Sequence, residues 1–158
     1  MSKKFSHLDE NGNPNMVDIS SKTESKRIAI AYTKVKLNSE TLNLIIEDKI
    51  QKGNVIQVAN IAGIQASKKT HELIPLCHPL DLSYVKLKFN ICNDDNSIEI
   101  ISEACTVGKT GVEMEALIAA STAALTIYDM CKAIDKKIII SELKLKYKSG
   151  GKSGTFNG

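Results

Sequence analysis

Apolar residues recur along the chain in runs that switch between a period of two and a helical period, and each switch marks an element boundary. The stretch from Arg27 to Tyr32 alternates, with Ile28, Ile30 and Tyr32 on one face and small residues on the other, which predicts a strand. Leu42, Ile45, Ile46 and Ile50 follow at helical spacing behind Ser39, a residue suited to cap a helix, and Lys52-Gly53 ends that segment. A second helix runs from Val55, with Val58, Ala59, Ala62 and Ala66 on one face. Pro75 and Pro79 then bracket Leu76-Cys77-His78, which regular helix does not accommodate. Val85, Leu87, Phe89 and Ile91 alternate, Asn93 to Asn96 supply turn chemistry, and Ile98 and Ile100 begin the return strand of a hairpin.

The longest helical pattern spans Gly111 to Ile134. Its 13 residues from Ala116 to Tyr128 include no charge, so it lacks the polar stripe of a surface helix. It is too short to span a membrane. Burial on nearly all sides is the remaining option, which a domain this small does not provide alone. The expectation is a homo-oligomer in which this helix packs both its own sheet and a neighbouring subunit. Ile138 to Tyr147 forms a closing strand, and Ser149 to Gly154 a glycine-rich loop. The order β-α-α-β-β-α-β predicts an α+β fold: a ferredoxin-like antiparallel sheet with helices packed on one face and one extra helix. Residues 1–25, polar and aperiodic, are expected to be a flexible arm before a single domain over 26–158.

Composition narrows the function. With 21 basic and 18 acidic residues the net charge is only +3, too balanced for a nucleic-acid scavenger. Aromatics are 4% and Trp is absent, so base-stacking platforms are scarce. Cys77, Cys92, Cys105 and Cys131 show no CxxC spacing, and the N-terminus carries no apolar leader core. Reduced thiols in a cytoplasmic protein are expected. His7, His71 and His78 do not cluster with cysteines at zinc-ligand spacing.

Several segments carry candidate chemistry. Gly108-Lys109-Thr110 and Gly151-Lys152-Ser153 imitate a phosphate loop, but the required preceding glycine is Glu103 in one case and Lys146 in the other. Lys68-Lys69, Lys148 and Lys152 would form an anion pocket if the fold converged them, and otherwise are wetted surface lysines. His78, held between prolines, is presented on rigid irregular backbone. Glu113 and Glu115 suit a helix first turn, yet two residues apart they point in different directions. Asp129 and Lys132, three apart, lie on one helical face. Spacing leaves two readings open: a surface ion pair, or a half-buried acid–base pair tuned for proton transfer near neutral pH.

Taken together, the segments Met16-Val17-Asp18, Ile61-Ala62-Gly63-Ile64, Leu73 to Leu80, Lys109 to Leu117, Ala123 to Ala133 and Lys148 to Gly154, with His7-Leu8-Asp9 ahead of them, occur in family order. The series closely resembles the cyclic pyranopterin monophosphate synthase family of molybdenum cofactor biosynthesis, over nearly the whole chain. The resemblance implies a lyase that converts 3′,8-cyclo-7,8-dihydroguanosine 5′-triphosphate to cyclic pyranopterin monophosphate and diphosphate. It implies catalytic roles for Asp129 and Lys132. It also implies substrate contacts at Leu76, Cys77, His78, Met114 and Glu115, with Lys52, Lys68, Glu113 and Lys148 in the same site. Lys132 with Asp129 is expected to handle protons, and Lys52, Lys68, Lys148 and His78 to balance phosphate charge. Lys69 stands where the family usually has arginine, which keeps the charge but loses the bidentate fork.

By the same resemblance the partner chains are copies of this one, as a hexamer of three dimers with sites at subunit interfaces, and neither nucleic acid nor a membrane is a partner. No cofactor is expected; Mg²⁺ could accompany the triphosphate, but no acidic cluster forms a dedicated site for it. Two other classes share parts of the pattern. A ferredoxin-like module for small molecules or RNA calls for exposed aromatics on the sheet. A purely structural oligomer has no need of Asp129 and Lys132 at the edge of its buried helix.

Overall fold

In a computed structural model that describes residues 11–152 and 154–158, four helices lie against one five-stranded sheet. The quoted His7-Leu8-Asp9 and Ser153 fall outside the described residues. The elements are β1 (Ser25–Lys36), α1 (Ser39–Ile46), α2 (Val55–Ser67), α3 (Thr70–Leu73), β2 (Leu82–Cys92), β3 (Ser97–Gly108), α4 (Glu113–Cys131), β4 (Ile139–Ser149) and β5 (Phe156–Asn157). The sheet order is β2-β3-β1-β4-β5, with every pairing antiparallel. Its first four strands have the ferredoxin-like arrangement. The additions are α1, the single turn α3, and the two-residue edge strand β5.

The helix-facing side of β1 is Ala29, Ala31, Thr33 and Val35, all fully buried, and not the larger Ile28, Ile30 and Tyr32. The reason lies in α4. Ala116, Ala119, Ala120, Ala123 and Ala124 give that helix an alanine surface, and at its N-terminal half it packs on Ala29, Ala31 and Ala104. Small residues on both sides bring helix and sheet close enough for the buried Ser102 hydroxyl to donate to the Ala116 carbonyl at 2.6 Å. Towards its C-terminus α4 meets bulkier partners, with Ile127 and Met130 clustered among Val35, Leu42, Ile98 and Ile100. Val85, Leu87 and Phe89 of β2 pack against these clusters, as their alternation requires.

Local chemistry moves some boundaries. The α1 cap is Asn38, one residue before Ser39, and its side chain accepts from the Thr41 N–H at 2.7 Å. The helix stops at Ile46, because Asp48 adopts φ 54° and turns the chain, leaving Ile50 buried from a loop. In α2 the buried stripe is Val55, Ala59, Gly63 and Ser67, while Val58 is exposed. That stripe runs antiparallel along α4. Val55 and Ala59 join the cluster of Ile127 and Met130, and Gly63 lies against Ala119.

The α2–α4 crossing has no room for a methyl group at Gly63. A Cβ there would lie 2.7 Å from Leu87 Cδ2 and 2.8 Å from the Ala119 carbonyl oxygen, and the latter is backbone that cannot swing aside. Gly63→Ala is therefore expected to destabilise the fold by about 1–3 kcal/mol, the usual range for overpacking. Chemical denaturation reads this directly; an unchanged midpoint would mean the helices separate freely.

Candidate active site

At the C-terminal end of α4 one carboxylate gathers two lysines. Asp129 and Lys132 share a helical face, and Lys132 Nζ meets Asp129 Oδ1 at 2.7 Å. Lys52 arrives from the turn before Gly53, whose φ of 102° suits glycine. Its ammonium donates to Asp129 Oδ2 at 3.0 Å and to the Asp129 carbonyl at 2.9 Å. The lysines hold the Asp129 carboxyl below the usual carboxylate range, the Lys132 hydrogen bond most and the Lys52 hydrogen bond next. Asp129 in turn raises the Lys132 ammonium above its ordinary value. All three side chains are about half exposed, at 56% for Asp129, 55% for Lys132 and 48% for Lys52. Of the two readings that the spacing leaves open, the chain holds the exposed ion pair and not the half-buried acid–base pair. The group is open to water, with two lysines about one carboxylate. An apolar cavity of about 200 Å³ adjoins Lys52, walled by Leu44, Ile50, Met130, Ala133 and Ile134.

The N-terminal end of α4 carries a second group. Glu113 and Glu115 diverge as their spacing requires. Glu113 folds back over Gly111, where a Cβ would lie 2.7 Å from its carboxyl carbon, and accepts from Lys148 Nζ at 2.9 Å. Lys148 reaches it because β4 pairs Lys148 with Ala29, on the helix side of the sheet. Glu115 turns inward and is only 4% exposed. Burial pushes its carboxyl up to about 7, with a smaller contribution from the Glu113 charge. Burial, then the Glu115 charge, likewise pushes up the half-buried Cys77 thiol. Leu76, Cys77 and His78 lie in the irregular stretch after α3, all half-buried, as does Met114 in the first turn of α4. Lys68 is the exposed C-cap of α2, at the same end of the α2–α4 pair; neither Lys68 nor His78 makes an ion pair among the described residues.

The anticipated residues therefore fall into two groups. One rigid helix separates them: Glu113 and Asp129 stand roughly 24 Å apart along the axis at about 1.5 Å per residue. The fold of the chain does not bring them together. Between the two ends, Leu125 and Tyr128 leave apolar surface on the outside of α4, Leu125 at 59% exposure. Sequence reasoning also passed over Arg27, which lines a small polar pocket with Glu113 and Lys148. A lone arginine at a strand start carries no spacing signal, so nothing local marked it. All four cysteines are free. Among the described residues, no group of three or more His, Cys, Asp or Glu side chains is arranged to hold a metal ion.

The MoaC family model matches residues 16–151. Relatives named cyclic pyranopterin monophosphate synthase resemble the chain end to end. That of Oleidesulfovibrio alaskensis is 51% identical over 156 residues, covering 99% of this chain and 98% of the relative. That of Clostridium perfringens strain SM101 is 52% identical over 157 residues, covering 99% of each. That of Desulforapulum autotrophicum is 52% identical over 152 residues, covering 96% of this chain and 93% of the relative.

Glu115 links the site to stability. Its folded-state value of about 7 lies above the ordinary 4.5, so the fold favours the protonated form. The stability this confers is complete below pH 4.5 and is lost as pH rises through about 7. Glu115→Gln is expected to remove that loss: denaturation midpoints of the two proteins should diverge between pH 4.5 and 8, with the variant gaining. Parallel pH profiles would place Glu115 in water instead.

Proposed function

The chain belongs to the MoaC family, and we propose that it is a cyclic pyranopterin monophosphate synthase, a lyase of molybdenum cofactor biosynthesis. The observation that carries this reading is half-identity, across essentially the full length of both chains, to synthases of that name. The substrate is 3′,8-cyclo-7,8-dihydroguanosine 5′-triphosphate, and the products are cyclic pyranopterin monophosphate and diphosphate.

Rearranging the purine demands several proton transfers, and expelling diphosphate demands charge neutralisation. Lys132 with Asp129 moves protons at the pterin-forming step. Lys52, Lys68, Lys148 and His78 balance phosphate charge, and Leu76, Cys77, Met114, Glu113 and Glu115 shape the substrate's seat. The working enzyme is a cytoplasmic homo-oligomer, a hexamer of three dimers, built from the single domain over 26–158. The two groups at opposite ends of α4 support a shared site, since one neighbour's N-terminal group can complete another's C-terminal group. Closure by a neighbour also supplies what the open triad lacks, because losing water lowers the lysine's hold on its proton. No resident cofactor belongs to this reading; any Mg²⁺ enters with the triphosphate.

A nucleic-acid module of the same architecture fits less well. On the outer sheet face the Tyr32 and Tyr84 hydroxyls donate to Glu99 and Glu103. Lys146 and Lys144 sit over the Tyr32 ring at 5.2 and 5.3 Å, and Lys86 over the Tyr84 ring at 4.7 Å. Rings covered by lysine and flanked by carboxylates leave bases little to stack on. No helix among the described residues is long and apolar enough to cross a membrane.

Incubation with the cyclic nucleotide should release diphosphate. Asp129→Ala and Lys132→Ala should each lower that rate by about a hundredfold or more while the oligomer survives, the scale of lost acid–base catalysis. Wild-type rates in both variants would overturn their roles. Complementation tests the shared site: inactive Lys132→Ala and inactive Lys148→Ala subunits, unfolded and reassembled together, should recover part of the activity. A mixture as dead as its components, or a monomer in sedimentation, would mean each subunit works alone.

A further inference from the structure

Besides Glu115, one other acidic side chain is buried among the described residues: Asp135, 3% exposed and in no ion pair there. Its carboxyl is spent on backbone. Oδ1 accepts from the Lys137 N–H at 2.9 Å, a local bond that closes the turn between α4 and β4. Oδ2 accepts from the Asn38 N–H at 2.7 Å, across 97 residues of sequence, and joins the end of α4 to the cap of α1. Burying a carboxyl is costly unless donors meet it, and here two backbone donors converge on it. An asparagine would set one oxygen and one amino group against those same two donors.

Both elements that Asp135 joins lead to the charged triad. Asp129 and Lys132 occupy the last turn of α4, where the Lys132 N–H bonds the Tyr128 carbonyl and the Ile134 and Asp135 N–H groups bond the Cys131 carbonyl. Helix ends fray, and this one is open to water on the side of the triad. Its inner side, at Met130 and Cys131, is buried, but apolar contact is non-directional and does not fix the orientation of a turn. The two hydrogen bonds of Asp135 do fix it. From Asn38, α1 runs into the turn that delivers Lys52, closed by the Lys49 N–H on the Leu44 carbonyl at 2.8 Å and the Gly53 N–H on the Ile50 carbonyl at 2.9 Å. The Cys131 thiol feels both sides of this arrangement. Burial and then the Asp135 charge push it up to about 11, while the Lys52 charge pulls it down.

We infer that Asp135 is the positioning residue of the Lys52–Asp129–Lys132 triad: it clamps the last turn of α4 to the cap of α1, so that both lysines meet Asp129 from elements held in register. It touches no reacting atom and acts through the backbone that carries the groups that do. This rests on the synthase reading for what the triad accomplishes, and on the geometry alone for the clamp.

Amide hydrogen exchange and pH-dependent turnover of the intact protein test it, in the wild type, Asp135→Asn and Asp135→Ser. The amide keeps the size but has one acceptor for two donors, and the hydroxyl keeps the local turn but is too short to reach Asn38. In both variants the amides of residues 132–135 should exchange about tenfold faster, the scale of one lost hydrogen bond, while β2 and β3 keep their wild-type rates. Turnover per folded chain should fall by about tenfold or more, the scale of a slightly misplaced catalytic group. The alkaline limb of kcat against pH should also move to lower pH, because Asp129 holds the Lys132 ammonium above its ordinary value and a loosened pair holds it less. A merely structural loss lowers the amount of active enzyme and leaves that limb in place. Wild-type exchange at 132–135 in a folded variant, or wild-type turnover with an unmoved limb, overturns the clamp. Should neither variant fold, the wild type decides: Asn38 and Lys137 amides that exchange as freely as open loops overturn it, and protected ones uphold it. The two readings fail separately. Faster exchange in the variants of a protein that does not turn over the cyclic nucleotide sinks the reaction and leaves the clamp. Full turnover by the wild type, with variants unaltered in exchange and in pH profile, sinks the clamp and leaves the reaction.

Discussion

The close approach of α4 to the sheet is the constraint on which the rest depends. Alanine faces alanine along the first half of the helix, and the Ser102 hydroxyl, donating to the Ala116 carbonyl, bridges sheet and helix backbone directly. Gly63 draws α2 equally close on the flank. Packing of this kind tolerates neither an added methyl nor a shifted axis. It fixes the helix as a rod, and a rod fixes what its two ends can reach. The Lys148–Glu113 contact and the Lys52–Asp129–Lys132 triad are both consequences of where that rod lies.

The two ends differ in kind. At the N-terminal end the groups are half-buried or buried, and the environment works against charge, so Glu115 rises to about 7. At the C-terminal end the groups are exposed and the environment secures charge, so Asp129 falls and Lys132 rises. Proton transfer at neutral pH needs groups near their midpoint. Glu115, at about 7, is such a group at the N-terminal end, whereas Lys132, for which a proton-moving role is proposed, lies at the other and is held above its ordinary value.

Much of this was legible in the sequence, and the reasons for the remainder are physical. The β2–β3 hairpin and α4 announce themselves because their apolar periods are long and local. The separation of Glu113 from Asp129 is also legible, since an uninterrupted helix cannot fold its ends together. The inward face of β1 is not legible, because Ala29 and Ala31 beat Ile28 and Ile30 to the core only through the matching alanines of α4, some ninety residues on. The exposure of the Asp129 triad depends on what lies above one turn of helix, which no spacing encodes. Arg27 acquires meaning only where β1 pairs with β4 and brings Gly150 and Gly151 beneath its side chain. The cap at Asn38 was missed by a single position, in a stretch where both neighbours are competent.

The uncharged run of α4 ties these strands together. A surface helix of an ordinary domain would carry charge where Ser121, Thr122 and Leu125 stand, and a buried one would not leave Leu125 and Tyr128 in water. In the proposed assembly a neighbouring copy covers that side, and on that reading the cover extends to the triad one turn further on. Covering the triad would strip water from three charges already matched two to one. The excess lysine then becomes the group whose proton is cheapest to give up, unless an anion arrives to hold it. In the proposed reaction the triphosphate is such an anion, and the diphosphate carries that charge away as it leaves. If the proposed assembly and site roles hold, assembly, substrate charge and the protonation of Lys132 form one coupled equilibrium about a helix that the alanine packing holds in place.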